Sequence, residues 1–132
     1  EERRAIEAGV LDEALTKGAA TANAAVSIVS GSGWHPGVIG IVAARLKERM
    51  GRPAIVIAVD EGGVGKGSGR SINGVDLGAA VLAAKDHGLL VAGGGHAMAA
   101  GLTIDAGKID ALTEFLNDRL AEAVARATAD RM

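Results

Sequence analysis

Residues 54–59, Ala-Ile-Val-Ile-Ala-Val, form an unbroken apolar run. Such a run marks a strand buried on both faces, which demands cover above and below the sheet that holds it. Just upstream, Pro36 suits the first turn of a helix, and Val38, Ile39, Ile41, Val42, Leu46 and Met50 recur at helical spacing. Gly51 suits a left-handed residue after the helix, and Pro53 blocks continuation. Before that helix, residues 24–30 read as a short strand. Strand, helix and strand within about 36 residues make a βαβ unit, right-handed if the strands are parallel.

The rest of the chain fits around this unit. Residues 2–18 place Ile6, Val10, Leu11, Ala14 and Leu15 on one side of a helix that ends near Gly18, packing here or bridging to another domain. After a turn at 60–63, residues 64–71 return as a glycine-loosened strand. Asp76 caps a helix over 77–87, and Gly88 ends it. Residues 101–104 read as another strand, and Asp105 opens a long helix with Ile109, Leu112, Phe115, Leu116, Leu120 and Val124 inside. The expected fold is α/β, a small mixed β-sheet with a βαβ unit flanked by helices in two or three layers. Long helices stand at both termini.

Composition narrows the chemistry. Hydrophobic residues are 48% of the chain but aromatics only 2%, so the core is aliphatic and closely packed. There is no cysteine, which removes disulfides and thiolate metal sites. No apolar run reaches the roughly 18 residues of a membrane span, and no secretory leader is evident, so a cytoplasmic location is expected. The chain opens Glu1-Glu2-Arg3-Arg4 without an initiator Met and reads as part of a longer protein. Net charge is −2, yet residues 31–75 carry six basic against three acidic side chains. That excess suits phosphate recognition. Alternatively, Arg45, Lys47, Arg49 and Arg52 merely complement a helix C-terminus.

Three motifs stand out. In Trp34-His35-Pro36-Gly37, between a strand and a helix, His35 offers a donor and Trp34 a stacking face; the plainer reading is a core Trp and a structural His. In Lys66-Gly67-Ser68-Gly69-Arg70-Ser71, strand alternation puts Ser68 and Arg70 on one face and Gly67, Gly69 and Ser71 on the other. Arg70 presents a planar donor fork for phosphate, Ser68 and Ser71 offer hydroxyls, and Gly67 and Gly69 let a ligand or backbone approach. In Gly93-Gly94-Gly95-His96, a flexible turn can aim backbone N–H groups at a phosphate, with His96 beside it. No metal-ligand spacing occurs, and Ser68 has no evident base near it in sequence. The chain reads as a binding site without its own reactive centre.

Residues 33–43, Arg52-Pro53-Ala54-Ile55-Val56, Gly67 to Ser71, and Gly94 to Gly101 together resemble the DHHA1 domain of RecJ-type single-stranded-DNA exonucleases, within the DHH phosphoesterases. Residues 2–15 resemble the helix connecting the two core domains of those enzymes. The resemblance implies a connecting helix over 1–20 and a substrate-binding domain over 21–132, facing an N-terminal DHH domain that carries Mn²⁺ or Mg²⁺. It implies single-stranded DNA held in the cleft by Trp34, His35, Lys66, Ser68, Arg70, Ser71, Gly94, Gly95 and His96, with His96 steadying phosphate charge. No catalytic residue, metal or other cofactor is expected within this segment. Gly69 stands where the family has alanine. Two other readings remain open: the equivalent domain of an oligoribonuclease or cyclic-dinucleotide phosphodiesterase, and a non-enzymatic α/β interaction module.

Overall fold

The computed structural model describes residues 2–129 of the 132, so the expected domain limits at 1 and 132 lie outside the described residues. In chain order the elements are α1 (Glu2–Ala19), β1 (Ser27–Ser32), a 3-10 turn (Pro36–Val38), α2 (Ile39–Met50), β2 (Ala54–Val59) and β3 (Val64–Arg70). There follow α3 (Leu77–Asp86), β4 (Ala92–Gly95), β5 (Ala99–Asp105), a second 3-10 turn (Ala106–Lys108) and α4 (Ile109–Ala129). One sheet holds the strands in the order β1-β2-β3-β5-β4. β1 and β2 are parallel and the other pairs antiparallel. The α/β class, the mixed sheet, the βαβ unit and the terminal helices match the sequence reading.

The apolar run behaves as its composition requires. Alternate side chains of β2 serve two cores: Ile55 and Ile57 pack with Val81 of α3 and Leu116 of α4, whereas Ala54, Val56 and Ala58 pack with Leu46 of α2 and Ala14 of α1. Helices α1 and α2 thus cover one face of the sheet and α3 and α4 the other, giving three layers. α1 packs on this domain through Val10 and Ala14, flanked by Leu11 and Leu15. Among the described residues no helix is long and apolar enough to cross a membrane.

Several boundaries differ from expectation; β5, for one, spans Ala99–Asp105 rather than 101–104. β1 starts at Ser27, because Arg52 donates to the Ala24 carbonyl and the Val26 N–H donates to Asn117 Oδ1 at 2.9 Å, holding the preceding residues in turns. α4 starts at Ile109, because Asp105 Oδ1 accepts from the Gly107 N–H at 3.0 Å and caps a 3-10 turn instead. The triple glycine is not a turn but most of β4, paired with β5; the reversal lies at 96–98, closed by the His96 N–H donating to the Ala99 carbonyl at 2.7 Å.

Local signals elsewhere act as read. Gly51 takes φ 68° at the end of α2, and Asp76 Oδ1 accepts the Ala79 N–H at 3.0 Å at the start of α3. Asp76→Ala removes that cap and lowers stability by about 1 kcal/mol. Urea unfolding will register it as a lower midpoint at constant m-value.

Candidate functional site

Strand β3 alternates glycine with polar residues, and the two parities face different worlds. A Cβ at Gly65, Gly67 or Gly69 would meet Ile57, Leu102 or Leu77 at 2.7–2.8 Å. Those glycines make room for neighbouring core side chains on the α3–α4 face, where the approach of a ligand or a backbone was expected at Gly67 and Gly69. Lys66, Ser68 and Arg70 take the opposite face, as the alternation predicts.

The pairing register extends this face across the sheet, since residues directly opposite one another share a side. Ser68 lies opposite Val56 on one side and Gly101 on the other, and Gly101 lies opposite Gly94. Arg70 lies opposite Ala99, and Lys66 opposite Thr103. Helix α2 packs over β1, β2 and β3, and α3 covers the far face of β4 and β5. Beyond β3 the near face is open: Gly101 and Ala92 are exposed, and nothing lies within 4 Å of where a Gly94 Cβ would stand. The result is a flat floor of small residues edged by Lys66, Ser68 and Arg70 and walled by the start of α2.

Arg70 is half-buried at this wall. Its Nη1 donates to Ser68 Oγ at 3.0 Å and to the Gly69 carbonyl at 2.8 Å, folding the guanidinium back along the strand. Nη2 lies 3.0 Å from where a Gly40 Cβ would be, so the missing side chain at Gly40 admits the guanidinium against α2. Lys66 is exposed and reaches Thr103 Oγ1 at 3.2 Å. Among the described residues no carboxylate pairs with either cation; the ion pair found there joins Arg45 and Glu48 at 3.8 Å. Two unneutralised cations on one face leave donors for an anion.

The other expected site residues divide. His96 is exposed on the hairpin reversal, two strand spacings or about 10 Å of backbone from Arg70. Gly94 contributes to the floor. Gly95 has φ 148°, and its missing Cβ makes room for Ala99 and Ala100, so the hairpin itself requires glycine there. His35 is exposed before α2, where Nδ1 accepts the Gly37 N–H at 2.9 Å. That bond leaves Nε2 as the outward donor of the neutral ring. His35 borders a separate small cleft with Glu2, Arg3, Ile6 and Val38.

Two expected contacts are corrected by burial. Trp34 is 4% exposed in the α1–α2 core, with Nε1 donating to Glu13 Oε1 at 2.9 Å, so it has no free face for a base. Ser71 is fully buried and its Oγ donates to the Val75 carbonyl at 2.6 Å, pinning the chain after β3 turns inward. Of the helix cations, Lys47 and Arg49 do occupy the last turn of α2. Gly40 and Gly101 were missed as site positions by residue type alone. The parity of β5, with Ala99, Gly101 and Thr103 against Ala100, Leu102 and Ile104, carries the signal for Gly101.

A model of the DHHA1 domain matches residues 21–122. The chain belongs to the DHHA1 family. Its relatives are of the RecJ type: it is 46% identical to the Bacillus subtilis single-stranded-DNA-specific exonuclease RecJ over 92 residues, 69% of this chain and 12% of that protein. To the Escherichia coli K12 RecJ it is 42% identical over 91 residues, 67% of this chain and 16% of the other. The crystal structure of Thermus thermophilus RecJ in complex with Mn²⁺ is similar to 92% of this chain at a TM-score of 0.78 and 32% identity, over 17% of that chain. The chain therefore spans less than a fifth of the length of these RecJ proteins. Among the described residues of this DHHA1 domain, no three His, Cys, Asp or Glu side chains converge to hold a metal ion. Its own donor set does not fit a Mn²⁺ or Mg²⁺ cage.

Proposed function

We propose that this domain is the strand-holding half of a metal-dependent 5′→3′ single-stranded-DNA exonuclease acting in repair and recombination, within a longer cytoplasmic chain. The support is the pairing of unneutralised Arg70 and Lys66 with an open sheet face, in a domain of the RecJ type. An N-terminal DHH domain in the same chain would hold Mn²⁺ or Mg²⁺ and supply the activated water for phosphodiester hydrolysis.

This chain's part is grip and charge. Arg70 meets a backbone phosphate through the guanidinium edge left free by Ser68 and Gly69, and Lys66 meets a second phosphate along the same strand. His96, on the hairpin at the Arg70 end of the sheet, steadies charge on the bound phosphate. His35 serves as an outlying donor. With no side chain on the floor to read base edges, contacts go to the backbone and binding is indifferent to sequence.

Fluorescence anisotropy of labelled oligo(dT) between 20 and 200 mM salt tests this. Affinity falls steeply with salt, and Arg70→Ala weakens it about tenfold or more while lowering the salt slope by about 1. Lys66→Ala acts in the same direction, and added Mn²⁺ produces no cleavage by this chain alone. Equal affinity in wild type and both variants removes the phosphate-grip reading.

A further inference from the structure

The four cations around the end of α2 are not equivalent. Arg45 pairs with Glu48 at 3.8 Å. Arg52 donates to the Met50 carbonyl at 3.4 Å and to the Ala24 carbonyl, tying down the turns before β1. Arg49 is exposed. At about 100° per residue it has turned through roughly 180° from Gly40, to the other side of the helix. Lys47, of the four, stays on the Gly40 side, displaced from it by only about 20°. It is half-buried, and among the described residues its ammonium has no hydrogen-bond or ion-pair partner.

Gly40 fixes what that side of α2 faces. Arg70 Nη2 lies 3.0 Å and Ser68 Oγ 3.5 Å from where a Gly40 Cβ would stand, so this side is the wall over the polar face of β3. The βαβ connection fixes the direction. β1 and β2 are parallel with α2 between them, so α2 runs against both; β3 also runs against β2, and so points the same way as α2. The path from Gly40 to Lys47 therefore follows β3 toward its Arg70 end, over about 10 Å at 1.5 Å per residue. There Arg70 pairs with Ala99, beside the 96–98 reversal.

We infer that Lys47 is a further phosphate-binding residue of the strand-holding face, contributed by the α2 wall at the Arg70 end of β3; this rests on the reading given under Proposed function. A cation in the last turn of a helix also complements the helix dipole. Arg49, in the same turn, meets that need from solvent. The dipole therefore gives no reason for a second cation on the side that faces the cleft, half-buried and without a counter-charge. An ammonium so placed needs water or an anion to stay charged. Its flexible stem and compact charge suit a phosphate met from any direction, where the Arg70 fork is fixed. Lys66, Arg70 and Lys47 then form one positive track along β3, from its start to the reversal that carries His96. Charge spaced along such a track fits a nucleic-acid backbone lying lengthwise on β3.

Anisotropy with labelled oligo(dT) and lysine footprinting by mass spectrometry test this. Lys47→Gln should weaken binding about fivefold at 0.1 M salt and lower the salt slope by about 0.7, the counterion-release contribution of one single-strand phosphate. Lys47→Arg should keep the wild-type slope. Arg45→Gln and Arg49→Gln, which remove the same charge from the other side of α2, should bind as wild type does. In the wild-type chain, saturating oligo(dT) should protect Lys47 from acetylation by N-hydroxysuccinimidyl acetate and leave Lys85, exposed on α3 beneath the sheet, as reactive as before. Wild-type affinity and slope in Lys47→Gln, with Arg70→Ala and Lys66→Ala impaired, overturns this inference and leaves the two-cation grip standing. Equal losses in Lys47→Gln, Arg45→Gln and Arg49→Gln also overturn it, because net charge and not a contact then sets the affinity. Undiminished acetylation of Lys47 in a saturated wild-type complex overturns it even if a variant fails to fold. Absence of any oligonucleotide binding by wild type overturns both readings.

Discussion

Trp34→Ala lowers the unfolding free energy by about 3–5 kcal/mol, the usual loss for truncating a large buried aromatic. The melting temperature of a domain this size falls by roughly 10–20 °C. The ring lies over Gly31, where any Cβ would fall inside it. Its Nε1 donates to Glu13 on α1, and the Lys17 ammonium sits 5.3 Å from the ring centroid. Trp34 therefore ties α1, the end of β1 and the approach to α2 together. Trp34→Phe keeps much of the packing but leaves Glu13 without its donor, and loses about 1–2 kcal/mol. Folded Trp34→Phe should bind oligo(dT) as wild type does. A stable Phe variant that no longer binds would restore the stacking role that burial denies.

Gly95→Ala costs about 3 kcal/mol and should loosen one hairpin before the rest of the fold. At φ 148° a side chain is strained, a cost of about 1–3 kcal/mol. The new methyl also collides with Ala99 and Ala100, and overpacking adds about 1–3 kcal/mol where the neighbour is backbone. The hairpin has little freedom to move aside. The Leu77 N–H donates to the Ala97 carbonyl at 3.0 Å, and the Ser71 N–H to the Met98 carbonyl at 2.9 Å. Gly78 of α3 leaves room for the His96 carbonyl, which a Cβ there would meet at 2.5 Å. Urea unfolding should show the lower stability, and amide exchange should quicken first in β4 and β5. An unchanged midpoint would mean that the hairpin tolerates a side chain that its backbone excludes.

Much of the fold was legible because single residues carried decisive local chemistry. The run 54–59 is β2 to the residue, and Gly51 and Asp76 mark helix ends where a left-handed residue and a side-chain acceptor were needed. The shared face of Ser68 and Arg70 followed from period 2 alone. Three features were not legible, each because residue type alone did not announce the partner that decided it. Trp34 offered a stacking face beside the plainer reading as a core residue, and Gly31 and Glu13 assign it to packing. Ser71 belongs in sequence to the Ser-Gly-Arg-Ser motif, but β3 ends at Arg70 and the next residue turns inward to Val75. Ala92-Gly93-Gly94-Gly95 has no alternation of character, so its pairing with β5 left no trace in residue type.

The sheet acts as a partition with independent tenants. Side chains above it, on α1 and α2, and below it, on α3 and α4, belong to separate apolar clusters. Damage on opposite sides, such as a truncation at Val42 and another at Leu116, should therefore sum without synergy. A substitution on the exposed upper surface of β4 and β5 therefore alters the open face while the lower layer goes on anchoring the same strands.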